Sequence, residues 1–209
     1  MEQTKAPLFT RRDLIRLIIP LVIEQILGVT IGMADSVMVS SVGEAAVSGV
    51  SLVDSLNILF INIFSALATG GAVIASQYIG RQDLKNACSA AKQLLYITTL
   101  IALTVMSAAL LFQRPCLSIF GKVDTDVYEN CRTYLILSAL SYPFLAAYNS
   151  GAALFRAMGN SKVSMFTSLL MNLINICGNA ITIYGLKWGV AGAAFASLVS
   201  RATGAVIMV

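Results

Sequence analysis

Six apolar stretches of about twenty residues or more, separated by short polar connections, leave this chain few ways to fold. They run over 14–39, 47–78, 90–112, 134–154, 163–184 and 190–209. At 1.5 Å rise per residue, about 20 residues carry a helix across a hydrocarbon core ~30 Å thick. In that medium every backbone N–H and C=O must be bonded within the protein, which leaves helices or a closed barrel, and the period-two pattern of barrel strands is absent. The chain is therefore read as an all-α polytopic membrane protein with six transmembrane helices. Only 11% of its residues are charged and its mean hydropathy is +0.81, whereas soluble domains carry about 25% charged residues.

Polar, glycine-containing segments punctuate the stretches at Ser40 to Glu44, Gly80 to Asp83, Gly121 to Asp124 and Met158 to Lys162. Such segments end helices. Pro20 and Pro143 fall inside spans, where each kinks its helix or frees a carbonyl for another partner. With a cytoplasmic N-terminus, the inner segments hold Lys5, Arg11, Arg12, Arg16, Arg81, Lys85, Lys92, Arg156 and Lys162, against Arg114, Lys122, Arg132 and Lys187 outside. The positive-inside rule favours that orientation in a plasma membrane, so the net charge of +4 needs no nucleic-acid partner to explain it. The first stretch is too long, and carries Glu24, for a cleaved signal peptide.

The sequence has no His, no C-x-x-C pair and no phosphate-binding loop. Nothing in it supports a zinc site, a redox pair, a nucleotide site or an intramembrane enzyme, and no cofactor is expected. Attention therefore falls on polar residues within the spans. A charged side chain at the centre of a spanning helix costs about 2.5 to 3.5 kcal/mol on insertion scales, and its default reading is an ion, proton or substrate site. Asp35 lies within the first span, near its outer end. Glu24, eleven positions earlier, falls within ~20° of it and about 16 Å along the axis, on one helical face.

The fifth span carries Asn172, Asn175, Asn179 and Thr182 on one face, and the sixth repeats Gly189, Ala193, Ser197 and Arg201 every four residues. By helical rise, Asn179 and Ser197 come to the depth of Asp35, so three helices present oxygen ligands at one level. Carboxylate, amide and hydroxyl oxygens suit a hard cation such as Na⁺; an isolated carboxylate suits H⁺. No other metal site is expected. Arg201, near mid-membrane, is expected to face a wet cavity or an acidic partner. Glu24, Asp54, Asn57 and Arg201 are secondary candidates that line or pack a cavity.

These residues carry a resemblance to a known family. Pro20 followed by Met33-Ala34-Asp35-Ser36-Val37-Met38-Val39, then Ser76-Gln77-Tyr78-Ile79-Gly80-Arg81-Gln82-Asp83, Phe155-Arg156-Ala157-Met158-Gly159-Asn160-Ser161-Lys162 and Asn175-Ile176-Cys177-Gly178-Asn179 with the Ile183 to Ala194 junction resemble the multidrug and toxic compound extrusion (MATE) transporters. The resemblance covers nearly the whole chain. It implies a secondary active antiporter that exports cationic amphipathic drugs or metabolites in exchange for H⁺ or Na⁺. Asp35 would then be the coupling residue, Asn175 and Asn179 its partners on the fifth helix, and Ser197 a hydroxyl on the sixth. Asn179 stands where the family also uses Asp, which leaves H⁺ and Na⁺ both open.

The family is built from two six-helix lobes, and each motif occurs here once. The chain is therefore expected to be the N-terminal lobe, residues 1–209, of a twelve-helix protein, with the C-terminal lobe as its missing partner. A half-size protein that dimerises is the alternative. Two other functions compete: a lipid-linked precursor flippase of the same superfamily, in which basic residues would line the cavity, and a membrane interaction module without transport activity, in which Asp35 only pairs with Arg201 or an Asn.

Overall fold

A computed structural model describes residues 11–118 and 124–209. Lys5 and the connection around Gly121 and Lys122 lie outside the described residues. The described chain is helical throughout: α1 Arg11–Ser40, α2 Glu44–Gly80, α3 Leu84–Leu111, α4 Gln113–Ser118, α5 Thr125–Leu140, α6 Tyr142–Ala157, α7 Ser161–Asn179 and α8 Val190–Met208, with a π-helical turn Ala180–Gly185 continuing α7. Five helical segments are long and apolar enough to cross a membrane unaided, namely Leu17–Ser40, Glu44–Gly80, Leu84–Leu111, Ser161–Gly185 and Val190–Met208. Many of their large apolar side chains point outward, Ile26, Val29, Met33 and Val37 on α1 among them. A contiguous apolar surface of this kind requires lipid or protein against it. At ~55 Å, α2 is longer than the hydrocarbon core and extends beyond it or tilts.

The fourth apolar stretch differs from its expectation. It folds as two helices, α5 and α6, and begins at Thr125 rather than at 134. The first turns of α5 bury Cys131 while exposing Asp126, Glu129 and Arg132, so they are helical without being apolar enough to be read as a span. The break falls at Ser141. Pro143, the second residue of α6, has no N–H to offer a carbonyl one turn back. Ser141 closes the gap locally, its amide and its hydroxyl both donating to the Ser138 carbonyl at 3.0 and 2.6 Å.

Packing follows from side-chain size. Helices in lipid gain little from burying one apolar surface rather than another, so close approach through small residues carries the association. One core cluster gathers Val39, Val53, Leu135 and Val190 from α1, α2, α5 and α8. A second forms around Tyr142, whose ring lies 5.3 Å from that of Phe60 and 6.1 Å from that of Phe64. Helix α7 packs between α1 and α8, which decides where its polar face is spent.

Two connections share one geometry. After α6, the Asn160 amide reaches back to the Phe155 carbonyl and the Gly159 amide to that of Arg156, with Gly159 at φ 77°. After α2, the Asp83 amide bonds the Tyr78 carbonyl and the Gln82 amide that of Ile79, but here the left-handed position, φ 61°, is held by Gln82. Both are Schellman endings, which favour Gly at that position. The Asp83 carboxylate then caps α3 by accepting from the Asn86 amide at 3.2 Å. A side chain in the left-handed region costs about 1 kcal/mol. Gln82→Gly is expected to stabilise the purified protein by about that amount, read as a rise in its thermal unfolding midpoint in detergent.

Candidate functional site

Near the Ser40 end of α1, four side chains meet. Asp35 is buried, and its carboxylate accepts hydrogen bonds from the Asn179 amide nitrogen on α7 and, at 3.4 Å, from the Ser197 hydroxyl on α8. The Asn175 amide nitrogen donates to Ser197 Oγ at 3.0 Å, and that of Asn179 reaches Asn175 Oδ1 at 3.4 Å. Asp35, Asn179 and Ser197, placed at one depth by helical rise, are thus brought together with Asn175 by three helices. Asn179 is fully buried, and its Oδ1 has no hydrogen-bond partner. A carboxylate and an unpartnered amide oxygen side by side are oxygen donors of the type hard cations favour.

Two local features hold the cluster. The first is the close fit of α7 against α8. A Cβ on Gly192 would come within 2.9 Å of Thr182 Cβ and 3.1 Å of its backbone carbon, and one on Gly178 within 2.9 Å of Ala196 Cβ. Neither neighbour can turn aside. The second is the π-helical turn that starts directly after Asn179 and closes with the Leu186 amide on the Ile181 carbonyl at 2.8 Å. Turns of this kind interrupt helices at functional sites more often than elsewhere. Nothing in the residue pattern of 163–184 signals it.

Glu24 meets the same helix α7 further down. Its carboxylate pairs with Arg156 at 3.0 Å and accepts from the Ser164 hydroxyl at 2.8 Å and the Tyr148 hydroxyl at 3.4 Å. This is the one ion pair among the described residues. The polar stripe of α7 extends one way to Ser164 and Ser168, both buried, and the other way to Thr182. The four-residue spacing of Ser164, Ser168 and Asn172 is the signal that would have extended the stripe to Glu24. The partners on α6, Tyr148 and Arg156, had no such signal.

The remaining secondary candidates form a third group. Asn57 Nδ2 donates to Asp54 at 3.1 Å and to Ser138 Oγ at 3.5 Å, while the Tyr142 hydroxyl donates to Asn57 Oδ1 at 2.9 Å. Arg201 does not pair directly with a carboxylate; its guanidinium donates to Ser141 Oγ at 2.6 Å, at the break between α5 and α6. Asp35 therefore takes the Asn, and Arg201 forms no direct bond to it.

The helices and this buried polar cluster define a multi-pass membrane protein with an intramembrane polar site. The MatE family profile matches residues 20–181, and the chain belongs to that family of transporters. It is 30% identical over 195 residues to an uncharacterized transporter, YisQ, of Bacillus subtilis, covering 91% of this chain and 42% of that one. A probable multidrug resistance protein, NorM, of Thermotoga maritima is 28% identical over 210 residues, 95% of this chain and 43% of that one. The chain thus spans less than half the length of these relatives. A solved MOP superfamily transporter from Pyrococcus furiosus shares the fold, with a TM-score of 0.88 at 23% identity over 94% of this chain and 43% of that one.

Two outcomes test the cluster. Hydrogen bonds to a charged group contribute about 1.5 to 3 kcal/mol, so Asn179→Ala is expected to destabilise the protein by roughly that much. The loss should shrink when Asp35 is already Asn, giving a nonzero coupling in a double-mutant cycle of detergent unfolding. Gly192→Val should force α7 from α8 and lower the unfolding midpoint, whereas Gly28→Val, whose Cβ meets nothing within 4 Å, should change it little.

Proposed function

We propose that this chain is one six-span lobe of a secondary antiporter in the plasma membrane, with a cytoplasmic N-terminus, exporting small cationic amphipathic compounds in exchange for H⁺ or Na⁺. Asp35, Asn175, Asn179 and Ser197 form the coupling site. The observation that carries this reading is a buried carboxylate facing amide and hydroxyl groups of two other helices, beside an unpartnered amide oxygen. Intramembrane carboxylates that face a bundle interior serve ion and proton pathways by default. Relatives named as probable multidrug resistance proteins support a reading as drug export.

The chemistry follows from competition for one set of oxygens. Asp35 without a cation is held by donors from α7 and α8. A proton or Na⁺ removes its charge and competes with those donors, so the packing of α1 on α7 depends on the ion. The ion shifts the protein between states only by the difference in its affinity for them. Cargo moves in a cavity between two lobes in transporters built from repeats; the second lobe supplies the facing wall, and the outward apolar residues of α1 are available to line it or to meet lipid.

The test is transport. In the two-lobe protein reconstituted into proteoliposomes, Asp35→Asn is expected to abolish export driven by an inward H⁺ or Na⁺ gradient while leaving expression and folding intact. Undiminished gradient-driven export would overturn the assignment.

A further inference from the structure

Three charged side chains enter the interior at the Ser40 half of the bundle: buried Asp35 on α1, and half-buried Asp54 on α2 and Arg201 on α8. The other charged residues described in that half, such as Glu44, Asp126, Glu129, Arg132 and Lys187, are exposed. Arg201 lies one helical turn beyond Ser197, which bonds Asp35, and is connected through Ser141 and Ser138 to Asn57, the partner of Asp54, yet among the described residues it forms an ion pair with neither carboxylate. Ser141 holds it. That hydroxyl donates to the Ser138 carbonyl and accepts from Arg201, so the guanidinium is fixed at the helix break. Buried Tyr134 of α5 and Tyr142 of α6, the latter bonded to Asn57, complete the titratable groups facing this space, to which α7 contributes Asn175 and Asn179.

The charges sum to −1. Uncompensated charge is what a low-dielectric interior penalises most, and a fixed internal cation changes how much more must be brought in. We propose that Arg201 sets the charge stoichiometry of the site: by balancing one of the two carboxylates, it makes the Asp35 cluster a receptor for a single monovalent cation or proton and excludes a divalent ion. Placement at Ser141 serves this role better than a direct ion pair with Asp35, because the charge is felt while the guanidinium does not occupy the carboxylate or Asn179 Oδ1. The inference rests on Asp35 being the coupling residue and adds the selectivity of that site.

Calorimetric titration of the two-lobe protein, purified in detergent, tests it with Na⁺ and Mn²⁺ at constant ionic strength. In a version that keeps Trp188 as its one tryptophan, the packing of that ring edge-on to Phe195 of α8 at 5.9 Å supplies an independent fluorescence readout. The wild type is expected to take one Na⁺ and to ignore Mn²⁺. Arg201→Gln, with an interior sum of −2, should bind Mn²⁺ about tenfold or more tightly than the wild type, the effect expected when a unit positive charge is removed from a site shielded from bulk water. Arg201→Lys should keep the wild-type preference. Arg201→Gln combined with Asp54→Asn returns the sum to −1 and should lose the Mn²⁺ response again. Asp54→Asn alone, at zero, should weaken Na⁺ about tenfold, and this arm decides the matter if Arg201→Gln does not fold. Unchanged selectivity in Arg201→Gln, or a double variant that behaves like it, overturns the proposal. A wild-type Na⁺ response that survives Asp35→Asn refutes instead the assignment of Asp35.

Discussion

A carboxylate inside a hydrocarbon layer has no solvent except the protein, and the organisation of this bundle follows from supplying one to Asp35. The donors come from α7 and α8, so three helices that are far apart in sequence must meet at one depth. Hydrogen bonds between membrane helices contribute modestly, about 0.6 kcal/mol on average, because polar groups find partners in the unfolded state as well. A charged acceptor raises the stake. Position, more than total stability, is what these contacts determine: α1 is aligned on the face of α7 that carries amides, and its apolar remainder is turned outward.

Small residues make that alignment sterically possible. Gly178 against Ala196 and Gly192 against Thr182 let α7 and α8 approach until Asn175 reaches Ser197. The bundle therefore divides its labour. Glycine and alanine set distances, amides and hydroxyls set register, and the large aliphatic side chains face outward, where they distinguish little between lipid and a protein neighbour.

Much of this is legible in the residues because the physics is periodic. Length and apolarity give the spans, and the 3.6-residue repeat puts Asn172, Asn175 and Asn179 on one face. Counting rise from the span ends brings Asp35, Asn179 and Ser197 to the same level. What escaped prediction is aperiodic. The π-helical turn after Asn179 depends on tertiary packing. The start of α5 is hidden by Asp126, Glu129 and Arg132, which lower its mean apolarity although one side of it packs well. Arg201 could be placed at depth but not given a partner, since Ser141 is defined by a break that Pro143 announces without locating. Glu24 could be given a face but not its partners on α6, because contacts between separate helices leave no period in the sequence.

Helix α1 is fastened to α7 at two polar points, by Glu24 through Ser164 and by Asp35 through Asn179, with Arg156 of α6 reinforcing the first. The two fastenings differ in kind. Glu24 is paired with a fixed counter-charge, whereas Asp35 is held by neutral donors alone. One end of the helix is thus anchored and the other only latched, and under the proposed coupling an ion arriving at the latch would release that end of α1 without freeing the whole helix from the bundle.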